Sequence, residues 1–226
     1  MRAQISIVIP TLNAEDCLAE CLSALMEGLM AGLIRELIIS DGGSADKTTL
    51  IADEAGAVLI HGAASRGGQL RRGVDAARAD WVLVLHADTI LAPGWSDDVA
   101  AHIQSTRKPA CFRLKFRSRG IAPRLVAGWA NLRTRICGLP YGDQGLLLPR
   151  SAYEAAGGYP DQPLMEDVAL VRALASRPVL MESEARTSAA RYQKSGWLKR
   201  GARNLWTLAR YFAGADPRHL DRQYRG

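Results

Sequence analysis

Two pairs of neighbouring polar residues have the types that proton-transfer and metal chemistry use. Glu166 and Asp167 are adjacent carboxylates at the start of a segment with helical spacing, and His86 and Asp88 follow the apolar run from Trp81 to Leu85. A carboxylate placed beside a hydroxyl can accept its proton as a new bond forms. A carboxylate at the end of a buried strand can hold a divalent metal ion against a phosphate. The sequence therefore contains candidates for a general base and for a metal ligand.

Regular alternation of apolar runs and helical patterns must position these residues. In the first part of the chain we predict strands at 5–9, 37–39, 58–60 and 81–85 and helices at 14–26, 45–55 and 67–79. This order is typical of a parallel, Rossmann-like sheet. Ligands of such sheets bind beyond the carboxyl ends of the strands. We therefore expect the polar turns that follow the strands to meet at one edge.

The second part of the chain is less regular. There we predict helices at 95–105, 125–136 and 165–175 and strands at 110–116, 144–148 and 179–181. The helix at 125–136 is basic, and the segment 196–212 is basic and amphipathic.

The turns after the first three predicted strands suit a nucleotide. Asp41 follows a strand and precedes two glycines, so it could hydrogen-bond a nucleoside that the backbone approaches closely. Arg66 lies in a glycine-rich loop and suits a phosphate or a base edge. Each turn alone has an ordinary alternative, such as a helix cap at Thr11 or Asn13. The first turn lacks the GxGxxG pattern, which excludes the dinucleotide-binding fingerprint.

Taken together, these motifs resemble those of the family 2 glycosyltransferases, which have the GT-A fold. The resemblance extends from Ile5 to Ala175 and rests on the segments SIVIPTLNAE, IISDGGSADKT, WVLVLHADT and MEDV. Within the family, the chain is most similar to the short arsenosugar-biosynthesis-type members in LHADT, YGDQG, GGYPDQPLMEDV and RYQKSGWLKR. The resemblance implies an α/β fold with a Rossmann-like, mostly parallel sheet flanked by helices and a basic amphipathic C-terminal tail.

The resemblance also implies a donor site. Asp88 matches the last carboxylate of the family's DxD motif and would bind Mg²⁺ or Mn²⁺ on the diphosphate, whereas His86 replaces the first Asp. Asp41 would contact the base. With the cationic loop included, the predicted nucleotide-binding residues are Pro10, Thr11, Asn13, Glu15, Asp41, Arg66, Gln69 and His86.

Glu166 and Asp167 match the family's ED motif, in which the second residue usually acts as the base. Neighbouring helical residues point about 100° apart, so only one of them can face an acceptor. We assign the base to Asp167, and Glu166 would orient a neighbour or cap the helix. The alternative is a solvated acidic first turn that counters the helix dipole. Asp143 and Gln144 are predicted to bind the sugar, with a plain polar turn as the alternative.

These assignments predict an enzyme that moves a sugar from a nucleoside diphosphate sugar to a hydroxyl acceptor, either a small molecule or a lipid-linked one. The predicted reaction is a metal-assisted single displacement with inversion. We expect a glycosyltransferase domain at 1–183, with a nucleotide-binding half at 1–90 and an acceptor half at 91–183, and a helical extension at 184–226. Two alternatives are a sugar nucleotidyltransferase and a degenerate nucleotide-binding or membrane-associated protein without turnover.

Charge is distributed unevenly along the chain. The net charge is +6, but residues 185–226 contain ten Lys and Arg against two Asp, so this segment carries +8 and the remainder −2. The amphipathic segment at 196–212 could pack on the protein's own core or lie on an anionic membrane. The chain has no recognised nucleic-acid-binding motif, so no nucleic acid is expected as a partner. Without a signal peptide or a long apolar run, we expect a cytoplasmic protein, with peripheral contact at the inner face of the membrane as an option.

Overall fold

The computed structural model describes residues 3–225 and contains one eight-stranded sheet with helices on both faces. The strands are β1 (Ile5–Thr11), β2 (Ile34–Asp41), β3 (Val58–His61), β4 (Trp81–Val84), β5 (Thr89–Leu91), β6 (Ala110–Phe116), β7 (Leu146–Pro149) and β8 (Val179–Thr187). The helices are α1 (Glu15–Met30), α2 (Thr48–Glu54), α3 (Arg66–Asp75), α4 (Trp95–Ser105), α5 (Ile121–Cys137), α6 (Arg150–Ala155), α7 (Glu166–Ala173), α8 (Ala190–Ser195), α9 (Trp197–Phe212) and α10 (Pro217–Arg225), and Gly142–Gln144 form a short 3-10 helix.

The strand order is β3-β2-β1-β4-β7-β6-β8-β5. The first four strands run parallel to one another, as the alternation predicts. Strand β7 is antiparallel to both β4 and β6, and β5 is antiparallel to β8. The predicted mostly parallel α/β sheet is therefore confirmed, with antiparallel strands confined to the second part of the chain.

The core occupies both faces of the sheet because successive residues of a strand point to opposite sides. On one face, Ile7 of β1 packs in a cluster with Leu18 of α1 and Trp95 of α4. On the other face, Val8 packs in a cluster with Leu70 and Val74 of α3. The central strand β1 is thus covered on both sides, and its carboxyl end is held in place by α1 and α3.

Strand β8 extends six residues beyond the predicted strand at 179–181. The charged residues Glu182 and Glu184 interrupt the apolar run by which the sequence indicates a strand. In the structure they form ion pairs across strands with Arg113 and Lys115 of β6, at 2.8 and 2.9 Å. Strand β5 and helix α6 were not predicted, and both are short. The predicted boundaries after residues 90 and 183 fall inside β5 and β8, so the division into those parts stays a prediction.

The C-terminal helices pack against the domain beside α7. Leu208 of α9 and Leu220 of α10 lie in one apolar cluster with Leu164, Met165 and Val168. One side of the tail therefore packs on the protein's own core, which is compatible with membrane contact on its other side, and that contact stays a prediction. Gly226 lies outside the described residues. Within residues 3–225, no helix combines the length and the apolar character that crossing a bilayer requires.

Gly73 sets how closely α3, which begins with Arg66, approaches the sheet. An added Cβ at Gly73 would lie 2.4 Å from Cγ1 of Val8, a fully buried residue of β1. We expect Gly73→Ala to lower the free energy of unfolding by about 1–3 kcal/mol through overpacking. Urea denaturation measures this change.

Gly128→Ala is the matched control, since Gly128 is also inside a helix but an added Cβ there has no atom within 4 Å. Its stability should stay the same or rise by up to about 1 kcal/mol, because Ala favours the helix. Equal stability of the two variants would contradict the close approach of α3 to β1.

Candidate active site

Arg66, the first residue of α3, connects three elements at the carboxyl edge of the sheet. Its Nε lies 2.6 Å from Oε1 of Glu166, the first residue of α7. Its Nη2 lies 3.1 Å from Nε2 of His86, just beyond β4. Because a guanidinium only donates hydrogen bonds, this contact requires an unprotonated Nε2 on His86. Arg66 thereby brings the Glu-Asp pair next to the end of β4.

Glu166 is almost fully enclosed, and its side chain is used inside the protein. One carboxylate oxygen pairs with Arg66, and the buried Oε2 has no hydrogen-bond partner among residues 3–225. Burial raises the pKa of Glu166, Arg66 opposes this rise, and the neighbouring Asp167 adds to it. These surroundings suit a positioning residue that holds Arg66 and the start of α7.

Asp167 has a different environment from its neighbour. Its Oδ2 accepts a hydrogen bond from the backbone N–H of Gly142 at 2.7 Å, and its Oδ1 accepts one from the N–H of Val168 at 2.8 Å. Each oxygen keeps a lone pair for another donor. Asp167 also lines a cavity of about 10 Å³ together with His86 and Tyr141, which is room for about one water molecule.

Asp143, in the 3-10 helix, is a third carboxyl group of this site. Burial raises the pKa of Asp143 to about 6; Arg133 opposes the rise, and the charges of Asp167 and Asp88 add to it. Its buried Oδ1 has no hydrogen-bond partner among the described residues. A carboxyl group with such a pKa can change its protonation near neutral pH.

Buried polar atoms without a partner are concentrated around these carboxyl groups. Within residues 3–225, four of the seven such atoms are Arg133 Nη2, Tyr141 Oη, Asp143 Oδ1 and Glu166 Oε2. Buried polar groups are normally paired with protein or water, so this concentration indicates a place where water or a ligand binds. The residue types and spacing did not identify Arg133 or Tyr141, although Tyr141 belongs to the YGDQG segment. The guanidinium of Arg133 lies 3.6 Å from the centre of the Tyr141 ring.

Asp41, the predicted base contact, is fully buried and organises its own turn. Its carboxylate accepts hydrogen bonds from the hydroxyls of Thr11 at 2.9 Å and Ser44 at 2.5 Å, and from the backbone N–H groups of Gly43 and Ser44 at 2.8 Å. Burial by itself would raise the pKa of Asp41, but these hydrogen bonds outweigh burial and lower it. A nucleoside would have to displace one of these donors, so the base contact stays a prediction.

Asn13 and Glu15 join the first two turns to each other. Oδ1 of Asn13 accepts a hydrogen bond from the N–H of Ala45, and Oε2 of Glu15 accepts one from the N–H of Lys47, both at 2.9 Å. Pro10 lies near the end of β1 and is partly buried. The side chains of Asn13 and Glu15 therefore fix the shape of the predicted nucleoside pocket, and their direct contact with a ligand stays a prediction.

The two predicted binding glutamines are buried and hydrogen-bonded inside the protein. Nε2 of Gln69 donates to the carbonyl of Thr11 at 2.7 Å. Oε1 of Gln144 accepts from the hydroxyl of Thr134 at 2.8 Å, and its Nε2 donates to the carbonyl of Phe112 at 3.2 Å. Both side chains thus hold the backbone of the site in place, and a binding role for either stays a prediction.

Asp88 lies in the turn between β4 and β5, and its side chain is partly exposed. Among residues 3–225 its carboxylate makes no hydrogen bond or ion pair, and no three His, Cys, Asp or Glu side chains form a metal-binding group. Mg²⁺ needs only one or two protein carboxylates when phosphates and waters supply its other ligands. Asp88 fits a metal ion held in this way, whereas Nε2 of His86 is already engaged by Arg66.

Protein families and curated proteins include matches to this chain. The model of the family described as Glycosyl transferase family 2 matches residues 6–134, more than half of the chain. A TPR repeat-containing protein of Synechococcus elongatus is 40% identical over 67 residues, which cover 28% of this chain and 17% of that protein. This chain therefore spans only a small part of that relative's length.

Solved structures of other proteins have a similar fold. Glucosyl-3-phosphoglycerate synthase from Mycobacterium tuberculosis, in complex with Mg²⁺ and uridine diphosphate, superimposes with a TM-score of 0.57 at 20% identity, covering 82% of this chain and 69% of that one. S. aureus TarS has a TM-score of 0.63 at 18% identity, covering 96% of this chain and 41% of TarS. At these identities the likeness shows the fold, which confirms the predicted GT-A architecture. With the family match across the strand-end turns, it follows that the chain belongs to glycosyl transferase family 2.

Proposed function

We propose that the protein transfers a sugar from a nucleoside diphosphate sugar to a hydroxyl group. The observation that carries this proposal is that Arg66, in a family 2 domain, contacts both Glu166, which precedes Asp167, and His86, which lies two residues before Asp88. A base and a metal-binding carboxylate are the two groups that such a transfer needs. The crystal structures of the synthase with uridine diphosphate support a nucleotide donor, and its complex with phosphoglyceric acid supports a small hydroxyl acceptor. The resemblance to arsenosugar-type members stays a prediction.

In the proposed reaction, Asp167 accepts the proton of the acceptor hydroxyl as its oxygen bonds to the anomeric carbon. The bond from that carbon to the diphosphate breaks on the opposite side, and the diphosphate leaves with the electron pair, so the configuration inverts. The backbone N–H of Gly142 holds Asp167 in place at 2.7 Å. Glu166 acts through Arg66 as a positioning residue.

A divalent metal ion is part of the proposal. Mg²⁺ or Mn²⁺, when bound, would neutralise charge on the departing diphosphate. Asp88 would hold it, because its carboxylate is partly exposed at the end of β4. The synthase was crystallised with uridine diphosphate and either Mg²⁺ or Mn²⁺, which supports the use of a divalent metal ion.

Replacing the proposed base tests the reaction directly. Asp167→Asn should lower the rate of nucleoside diphosphate release from the active donor by about 10²–10⁴-fold, since an amide cannot accept the proton. The assay uses a panel of UDP-, GDP-, ADP- and TDP-sugars with a mixture of hydroxyl acceptors. Donor binding, followed as a thermal shift, should be unchanged.

Asp97→Asn is the matched control, because Asp97 is also in the first turn of a helix, α4, and is exposed. It should retain the wild-type rate. An Asp167→Asn variant that turns over as fast as the Asp97→Asn variant would show that Asp167 is not the base. A wild-type protein that binds nucleotide but releases no product would instead favour a binding protein without turnover.

The metal assignment is tested by Asp88→Asn. We expect the Mn²⁺ concentration for half-maximal activity to rise about tenfold or more, since even outer-shell changes weaken metal sites by 10–100-fold. Asp80→Asn changes an exposed Asp before β4, at the opposite edge of the sheet, and should leave the metal dependence unchanged. The same Mn²⁺ dependence in both variants would rule out Asp88 as the ligand.

The surroundings of Asp143 predict how stability depends on pH. Its pKa rises from 3.8 to about 6 in the folded protein, so the folded state binds a proton more tightly than the unfolded chain. Stability should therefore fall as the pH rises from about 4 to about 6, where the folded state releases this proton. Asp143→Asn should melt higher than the wild type above pH 6, and the two should converge below pH 4. If the difference in melting temperature between the two proteins is the same at every pH, Asp143 does not hold its proton more tightly in the folded protein.

A further inference from the structure

Helix α5 exposes a continuous stripe of large apolar side chains. The stripe residues recur at intervals of four, four, three and four positions, and each is between 48% and 74% exposed. They are Ile121, Leu125, Trp129, Leu132 and Ile136. This spacing places them on one side of the helix.

The stripe does not belong to the protein's core. The core side of α5 is formed by Pro123, Ala127, Ala130 and Thr134, which are buried. At about 100° per residue, the stripe lies roughly opposite these residues. Small side chains pack the inner side of α5 against the core. A large apolar patch that remains exposed on the outer side is typical of a surface that binds a partner or a membrane.

Positive charge surrounds the stripe. No acidic residue occurs from 107 to 135, and Arg124 and Arg135 are exposed on α5. An open cleft of about 770 Å³ lies just before the helix. Its polar lining consists of Lys115, Arg117, Ser118, Arg119, Arg186 and Gln193. Four of these six residues are cationic, although Glu184 and Glu20 pair with three of them.

Helix α9 lies beside α5 and, like α5, has a buried side and exposed apolar side chains. The two helices pack against each other, and Trp197 lies in the cluster that includes Ala127 and Ala130. Leu198 and Trp206 of α9 are mainly exposed, whereas Thr207 is buried on its inner side. The amphipathic tail therefore adds exposed apolar surface next to α5.

We infer that the apolar stripe of α5, with the basic cleft at its start, docks on the surface of an anionic lipid bilayer. Apolar residues of an interfacial helix enter the boundary of the acyl chains, and flanking cations attract anionic headgroups. Trp129 matches the preference of Trp for the interface. This inference does not depend on the proposed transfer reaction.

A second copy of the chain is a less suitable partner for this surface. Two-fold pairing would place the same surface of each copy against the other. Arg124 and Arg135 of one copy would then approach the same cations of its partner, with no acidic residue of 107–135 to compensate them. An anionic bilayer complements both the charge and the apolar stripe.

Vesicle sedimentation of the full chain tests the inference. We expect binding to vesicles of phosphatidylglycerol and phosphatidylcholine, weaker binding at high salt, and little binding to phosphatidylcholine alone. Leu125→Ser/Trp129→Ser/Leu132→Ser should weaken binding at least tenfold. Arg119→Gln/Arg124→Gln should weaken it and reduce its dependence on salt, and this variant keeps the apolar stripe intact.

Met26→Ser/Leu29→Ser/Met30→Ser is the matched control, since these residues form an exposed apolar group on α1. It should bind vesicles like the wild type. The inference is overturned if the wild type does not bind anionic vesicles, or if the α5 variant binds as well as the α1 control. It is also overturned if light scattering shows a dimer that the α5 variant dissociates while vesicles are not bound. No donor or acceptor is present, so the result is independent of catalysis.

Discussion

The ion pair between Arg66 and Glu166 is the interaction on which the site depends. The two residues are 100 positions apart in the chain, and each begins a helix. Their 2.6 Å contact holds α3 to α7, and the second contact of Arg66 reaches His86 beyond β4. Glu166 is nearly fully buried, so loss of Arg66 would leave an uncompensated charge, which typically costs about 3–5 kcal/mol. The position of Asp167 follows from this pair because it is the next residue of α7.

The excess of carboxyl groups around Arg66 is a second constraint. Burial raises the pKa of Asp143, Arg133 opposes this rise, and the charges of Asp167 and Asp88 add to it. Such shifted groups are concentrated at functional sites, where their charge changes with the bound state. A bound metal ion and diphosphate would add positive and negative charge near these carboxyl groups and so change their pKa values. The unpartnered atoms of Tyr141 and Arg133 lie in the same region and offer further contacts to a ligand.

The sequence predicted the elements whose signals are local. The positions of Asp41 and Asp88 after strands, and a helix predicted to start at residue 165, followed from apolar runs and polar turns, and in the structure that helix starts one residue later at Glu166. The pairing of Arg66 with Glu166 could not be predicted, because no local pattern links residues so far apart. The inward direction of Gln69 in α3 and of Gln144 in the 3-10 helix was missed for a related reason, since a single polar residue carries no local sign of which way its side chain points.

Helix α5, away from the site, also shows what a local sequence pattern cannot predict. A basic helix was predicted at 125–136, and the structure has a helix there, α5, that begins four residues earlier. Which of its two apolar sides faces the core depends on the small residues Ala127 and Ala130, which pack inward and leave Leu125 and Trp129 outside. Periodicity alone describes both sides equally well. Only the packed structure distinguishes the buried side from the exposed one.

The thermal stability of the wild-type protein, measured against a panel of nucleoside diphosphates with and without Mn²⁺, tests the central claim most directly. A ligand that binds only the folded state raises its stability by mass action. The account predicts a higher melting temperature with one nucleoside diphosphate, and a larger increase when Mn²⁺ is present. No increase with any nucleotide, with or without the metal ion, would contradict a donor site at the carboxyl edge of this sheet.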